Sequence, residues 1–456
     1  MVSTGSLDSE PTPPAPAKKP VPVPSKRPSA ENGGGIEKIP YYHGLLPRED
    51  VRLILKENGD FLVRISEPKP GEARSYILSV LADKNAEEMS SMKHVVISSG
   101  NGKYWFNKAS FDSIQALVDY YKSPAAQSEI NIKMVRPIPR QPWELEHDWI
   151  VITKKLGEGA FGEVSEGVFK TKKMAGVQVA VKQAKLEKMG KEQIKEFMGE
   201  ARHLREMNHP NIVKFYGVAV IQEPLYMVME LASDGALDSY LHKNPTLPLE
   251  TRNEMILQAA WGLEYLHSIT VLHRDIAARN CLYGNKQVKL SDFGLSRKAT
   301  FYQMDQGKKV PIRWLAIETL TTAVYSQKTD VWSYGVMCWE IYSGAQEPYS
   351  GMTAAEVNKK VREGLRLQLT PEVNPDIQSM VKSCWMNNAN DRPTMTEISA
   401  ILQRVTKVPK PNFAGSVSKN QKDPGVPAAP ANAPKRGSVV VKKKNVGVQT
   451  KQTAFR

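Results

Sequence analysis

The stretch VLHRDIAARNCL (271–282), followed closely by VKLSDFGLS (288–296), sets three oxygen-bearing side chains, Asp275, Asn280 and Asp292, in polar clusters bounded by short apolar segments that read as strands. Such a set supplies one carboxylate to orient an incoming hydroxyl and two oxygen ligands for a hard cation such as Mg²⁺. Working outward, LGEGAFGEV (156–164) holds Gly157, Gly159 and Gly162 in GxGxxG spacing, a pattern shared with dinucleotide-binding turns. Those turns run into a helix. Here Val164 to Val168 reads as the return strand of a hairpin, whose loop folds its backbone over phosphates. Next come VQVAVKQA (177–184), a period-2 strand carrying Lys182, and QIKEFMGEARHLREM (193–207), where Phe197, Leu204 and Met207 form a helical stripe that includes Glu200. A carboxylate among apolar neighbours needs a cation, and Lys182 is the natural candidate.

In this order the residues from 148 to 407 resemble a eukaryotic protein kinase, which implies a β-rich small lobe with one helix and a helical large lobe. The resemblance implies that Lys182 contacts the α and β phosphates of ATP and pairs with Glu200, that Asn280 and Asp292 hold Mg²⁺ (or Mn²⁺), and that Asp275 is the catalytic base. By the same resemblance Leu156, the three glycines, Val164, Ala180 and Leu282 enclose the nucleotide, with Met229 as gatekeeper and Glu230 to Ala232 as hinge. Serine/threonine kinases carry Lys where Ala277 stands, and a positive charge follows at Arg279, so HRDIAARN looks like a tyrosine-kinase loop. Pro311 and Trp314 in PIRWLAIE resemble the platform that accepts a phenolic side chain. Ile317 departs from the family's Pro but leaves Glu318 to pair with Arg392. Tyr302 stands at the family's activation-loop phosphosite, beside Arg274. DVWSYGVMCWEIYS (330–343) is apolar nearly all round and reads as the buried axis of the large lobe, with Asp330 as its N-cap.

Upstream, GDFLVRISE (59–67) opens with a turn and continues as an apolar strand interrupted by Arg64. A guanidinium taken out of water beside apolar neighbours is costly unless an anion meets it, so something negative binds there. The strands SYILSVLAD and MKHVVISS and the helical patterns PREDVRLILKEN and SFDSIQALVDYYKS predict an antiparallel sheet flanked by two helices. YYHGLLPRED, FLVRIS, KHVVIS and SIQALVDYY, in that order, resemble a Src homology 2 (SH2) domain over residues 38–128. The resemblance implies that Arg64 grips a phosphotyrosine phosphate bidentately with help from Arg48, Ser66 and His94. Tyr41 and Ile65 replace the family's Trp and Glu at positions that carry no phosphate-gripping charge.

The whole arrangement is therefore α+β: a Pro-rich segment (1–37) expected to be disordered, the SH2 block (38–128), a linker (129–147), the kinase block (148–407) and a basic tail (408–456). SH2 then kinase, the linker WELEHDWI, the hinge MVMEL and no preceding SH3 pattern are similar to the Fes/Fer group of non-receptor, cytoplasmic tyrosine kinases, in a short form without their N-terminal F-BAR region. That resemblance implies transfer of the ATP γ-phosphoryl group to tyrosine in proteins, with the SH2 block recruiting tyrosine-phosphorylated partners. The alternative is a phosphotyrosine-binding scaffold with a dispensable kinase fold, against which all five of Lys182, Glu200, Asp275, Asn280 and Asp292 stand present. After Lys407 there is no Tyr to serve as a clamped tail; the Fes/Fer resemblance implies instead that the SH2 block packs on the small lobe near the Glu200 helix and favours its active position.

The net charge of +14 among 456 residues invites a nucleic-acid reading, but the tail holds ten cations against Asp423 alone. Lys442 to Lys444 with Lys435 and Arg436 either meet anionic lipid at the cytoplasmic face of the plasma membrane or form a solvated tail; specific nucleic-acid binding is not expected. Pro13, Pro16 and Lys18 match a PxxPxK pattern, read either as an SH3 ligand or as a spacer. No apolar run is long enough to cross a membrane, Val2 excludes myristoylation, and Cys281, Cys338 and Cys384 read as packing, so a reduced, cytoplasmic setting is expected.

Overall fold

The computed structural model describes residues 35–68, 72–87, 90–159, 162–171, 174–185, 189–305 and 310–411; the PxxPxK motif and the basic stretch beyond Pro411 lie outside them. Helix α1 (Arg48–Ile54) precedes a sheet of β1 (Asp60–Ser66), β2 (Ser75–Leu81), β3 (Met92–Gly100), β4 (Lys103–Trp105) and β5 (Arg136–Pro137) in the order β4-β3-β2-β1-β5. Helices α2 (Ile114–Tyr121) and α3 (Pro124–Ile130) follow β4, each capped by a serine, Ser113 or Ser123, whose hydroxyl accepts an orphan backbone N–H. The sheet thus takes a fifth, parallel strand from beyond residue 128, and a third short helix joins the two expected. Phe61 to Ile65 are all buried, so Arg64 sits in the interior rather than on a solvated face.

The small lobe is a second five-stranded sheet: β6 (Ile150–Gly159), β7 (Gly162–Thr171), β8 (Met174–Ala184), β9 (Phe215–Ala219) and β10 (Leu225–Glu230), in the order β6-β7-β8-β10-β9, with α4 (Lys191–Arg205) as its helix. The large lobe is helical: α5 (Leu237–Lys243), α6 (Leu249–Ser268), α7 (Ile317–Thr322), α8 (Gln327–Tyr342), α9 (Ala354–Arg362), α10 (Pro375–Cys384) and α11 (Met395–Thr406). Short ribbons complete it: β11 (Val271–Leu272), β12 (Cys281–Gly284), β13 (Gln287–Leu290), β14 (Arg297–Lys298), β15 (Phe301–Gln303) and β16 (Val324–Ser326). The architecture is α+β, a sheet domain followed by a bilobal fold. Among the described residues no helix is long and apolar enough to cross a membrane.

Helix α8 is the buried axis the sequence predicts, but its start is corrected. Ser326, not Asp330, is the N-cap, in a reciprocal capping box with Thr329. Asp330 therefore lies inside the helix, almost fully buried, and its carboxylate accepts the backbone N–H groups of His273 (2.9 Å) and Arg274 (2.8 Å). The same Asp that would cap an exposed helix end here anchors the loop ahead of Asp275. Glu318 accepts two bonds from the buried Arg392 guanidinium (2.7 and 2.8 Å), so the Ile317 departure leaves that fork intact. The three cysteines are free and buried.

Candidate functional site

Gly157 faces Val164 and Gly159 faces Gly162 across the β6–β7 hairpin, so the glycines form a strand-to-strand turn rather than a strand-to-helix one. A Cβ on Gly162 would sit 2.4 Å from the Gln183 carbonyl oxygen, which leaves glycine as the residue that fits. Lys182 pairs with Val164 on one side and Met227 on the other, and Ala180, two residues earlier on the same face, pairs with Met229. Val164, Ala180, Met229, Glu230, Ala232 and Leu282 are all half-buried, while Leu156 is exposed.

The Lys182 ammonium lies 2.6 Å from the Glu200 carboxylate, both groups nearly buried. Burial pushes the Glu200 carboxyl up, Lys182 pulls it down and the Asp292 charge pushes it up again. Asn280 donates its amide Nδ2 to the Asp275 carbonyl (2.8 Å), so its amide oxygen is the atom left to meet a cation. Asp292 adopts φ +58°; among the described residues it accepts only the Gly294 N–H (3.3 Å) and forms no ion pair with a cationic side chain. An exposed carboxylate and an amide oxygen fit Mg²⁺, which takes few protein ligands and completes its shell with phosphates and water. Among the described residues no three His, Cys, Asp or Glu side chains form an ion cage by themselves.

The Asp275 carboxylate receives a bond from Arg279 (2.5 Å), and that guanidinium stacks 4.3 Å over the Trp314 ring. Trp314 Nε1–H and Ala278 N–H both donate to one oxygen of Glu340 (3.0 Å each). Glu340, which the sequence reading passed over, thus ties the Ala278 segment to Trp314. Burial first, against the two donors and Arg279, pushes its carboxyl up to about 7. Because the folded value exceeds the unfolded one, Glu340 costs stability increasingly as pH rises from about 4.5 to about 7, and by a constant amount above. Glu340→Gln, whose amide oxygen can accept both bonds, is expected to stabilise the chain by on the order of 2 kcal/mol at about pH 8 and by little at about pH 5. Thermal melts at the two pH values read this; a pH-independent difference would refute it.

Tyr302 lies in β15 opposite Tyr325 of β16, and Arg274 stacks on both rings (4.2 Å each), with Arg297 5.3 Å from the Tyr302 ring.

In the first domain Arg64 is almost fully buried; its Nε donates to Ser79 Oγ (3.1 Å) and its Nη1 to the Leu46 carbonyl (3.1 Å). No carboxylate among the described residues forms an ion pair with it. Burial, then the neighbouring Arg48, pulls its pKa down to about 10. Arg48, Arg64 and Ser66 line one cleft. His94 reaches Arg64 through a shared partner: its Nδ1 lies 2.9 Å from Ser79 Oγ. Burial and then the Arg64 charge pull His94 down to about 3, so it stays neutral at physiological pH. Ser79, which positions both, carries no sequence signal beyond strand alternation.

The two domains meet through α1 and α4. Arg202 grips the buried Asp50 with Nε (3.1 Å) and Nη2 (2.8 Å), Lys195 meets Glu49 (3.0 Å), and Arg205 stacks 4.5 Å over Trp143 of the linker. Buried His43 sets Nδ1 2.9 Å from both Glu144 carboxylate oxygens and Nε2 2.9 Å from the Ile138 carbonyl. A Cβ on Gly44 would sit 2.3 Å from the Val220 carbonyl oxygen, and the Leu45 N–H donates to that same oxygen (3.1 Å). The linker is thus ordered against both domains.

Comparison with known proteins matches residues 150–402 to the family described as protein tyrosine and serine/threonine kinase, and residues 41–121 to the SH2 domain. The chain is 37% identical over 375 residues to Fer-related kinase 1 of Caenorhabditis elegans, covering 81% of this chain and 94% of that protein. It is 37% identical over 369 residues to human tyrosine-protein kinase Fer, covering 79% of this chain but 43% of Fer, so it spans less than half of that relative. It is also 34% identical over 375 residues to the tyrosine-protein kinase transforming protein Fps of avian sarcoma virus (strain PRCII), covering 80% and 68%. A formed Lys–Glu pair, a buried arginine in a sheet domain docked on the same helix, and kinship over four-fifths of the chain place it in the Fes/Fer family of SH2-containing non-receptor tyrosine kinases.

Proposed function

We propose that this chain transfers the γ-phosphoryl group of ATP to tyrosine hydroxyls of proteins, with residues 148–407 as the catalytic unit and 38–128 as its phosphotyrosine reader. The observation that carries the reading is Asp275, held by Arg279, which itself rests on Trp314, in a chain whose Lys182–Glu200 pair is formed. Asp275 accepts the phenol proton as the phenolic oxygen bonds to the γ-phosphorus and the bond from that phosphorus to the β–γ bridging oxygen breaks, releasing ADP. Lys182 orients the α and β phosphates, the glycine hairpin covers them, and Trp314 and Pro311 shape the space for a phenol rather than a short hydroxyl. Bound through Asn280 and Asp292, Mg²⁺ (or Mn²⁺) would supply charge neutralisation on the phosphates. Phosphate on Tyr302 would exchange ring stacking on Arg274 for charge-assisted bonds to Arg274 and Arg297, ordering that loop.

Arg64, with Arg48, Ser66 and His94 around it, takes the phosphate of a partner's phosphotyrosine. Docking of α1 on α4 supports the Glu200 position and so raises turnover. An SH3 domain at Pro13 to Lys18 and anionic lipid at the basic tail, with a cytoplasmic setting, complete the reading on sequence grounds alone. A degenerate peptide library with Mg²⁺-ATP tests the activity: tyrosine peptides are expected to be labelled and matched serine peptides not. Equal labelling, or none, would overturn it. In the same assay Asp50→Ala, which removes the carboxylate under Arg202, is expected to slow turnover several-fold; an unchanged rate would remove the coupling and leave the kinase reading.

A further inference from the structure

The cleft around Arg64 is not closed by its own domain. Beside Arg48, Arg64 and Ser66, its wall is the first turn of α4, contributed by Lys191, Glu192, Ile194 and Lys195 of the catalytic domain, with the exposed Glu192 charge acting on Lys195. Two cations on that wall differ in their commitments. Lys195 is taken up by Glu49 (3.0 Å), whereas half-buried Lys191 has no hydrogen bond or ion pair with any described residue. The floor of the cleft holds the unpaired, almost fully buried Arg64 guanidinium, which independently calls for an anion. A phosphorylated side chain reaching Arg64 carries close to two negative charges, and its peptide must leave the cleft past one of its walls.

We propose that Lys191, a residue of the catalytic domain, is part of the phosphotyrosine-peptide binding surface and favours ligands with acidic residues flanking the phosphotyrosine. This rests on the reading of Arg64 as the phosphate site. The ligand is then held by both domains at once, and its affinity depends on their docking. The cost of losing Lys191 is set by a partly solvated charge pair, worth about 2–5-fold in affinity for truncation and about 10-fold for charge reversal. The contribution shrinks as salt is raised.

The test uses the full chain and fluorescence anisotropy of a labelled phosphotyrosine peptide with acidic flanks, beside one with alanine flanks. Lys191→Glu is expected to weaken the acidic-flank peptide about 10-fold and the alanine-flank peptide less, while Lys382→Glu, an exposed charge reversal on α10 in the large lobe, changes neither. A glutamate at the start of α4 suits the helix dipole, so the variant keeps the helix that carries Glu200. Arg64→Lys is the control arm. If it abolishes binding while Lys191→Glu stays within twofold of the parent, the shared surface is refuted and the SH2 reading stands. If Arg64→Lys leaves binding intact, the phosphate site is not at Arg64 and the inference falls with it.

Discussion

Lys182→Met is expected to reduce tyrosine phosphorylation by at least about 10²–10³-fold while the chain still folds and still binds phosphotyrosine peptide. The ammonium does two things that Met cannot: it sits 2.6 Å from Glu200, fixing α4 against the sheet, and it presents positive charge on the β8 face that also carries Ala180, next to Val164 of β7. The lost rate comes from the second role, because the charge acts where negative charge develops and moves during transfer. Folding survives for a separate reason. A buried ion pair contributes little net stability, and Glu200, already pushed toward its neutral form by burial and by Asp292, can take up a proton when its partner is removed. Single-turnover assays with saturating Mg²⁺-ATP, run beside a thermal melt, read both parts. A rate within tenfold of the parent, on a fully folded variant, would refute the assigned role.

The second large effect belongs to Arg64. Arg64→Lys keeps a charge but loses the planar fork and the Nε–H that Ser79 accepts, and phosphotyrosine-peptide affinity is expected to fall by at least about 30-fold, the lower end for truncating a buried, hydrogen-bonded charge contact. Arg64→Met is expected to lose binding as completely while melting higher than the parent. The guanidinium is held almost out of water, and its depressed pKa records a desolvation cost borne at every pH below about 10. Removing the charge removes that cost, offset in part by two lost hydrogen bonds. Gain of stability with loss of binding is the behaviour of a residue kept for its ligand. If Arg64→Met melts lower, Arg64 serves the fold instead.

Much of this was legible along the chain. Arg64 declared itself by interrupting an apolar strand, and Glu200 by lying in the stripe of Phe197 and Leu204, because in each case a charged group stands where its element's periodicity demands an apolar one. Asp275, Asn280 and Asp292 were legible from spacing and flanking strands. Asp330 was misplaced for an instructive reason. Its position beside the apolar run DVWSYGV looks like a helix start, but the reciprocal Ser326–Thr329 cap lies earlier, in a stretch with no apolar pattern to mark it. Ser79 and Glu340 were passed over because a serine in a strand and a glutamate late in a helix are ordinary surface choices until the fold buries them.

What the sequence by itself determined is the order of elements and where charged side chains interrupt them, since strand and helix periods, turn glycines and uncompensated charges are written among residues two to four apart. What only the tertiary structure decided is which remote charges meet: Asp50 with Arg202 across 152 residues, His43 with Glu144 across 101, and the catalytic domain's Lys191 with the cleft of Arg64. An aspartate in the first turn of an amphipathic helix looks solvated from its neighbours alone. Its energy is set by what docks against it, and docking depends on the shape of whole surfaces, which no local pattern encodes.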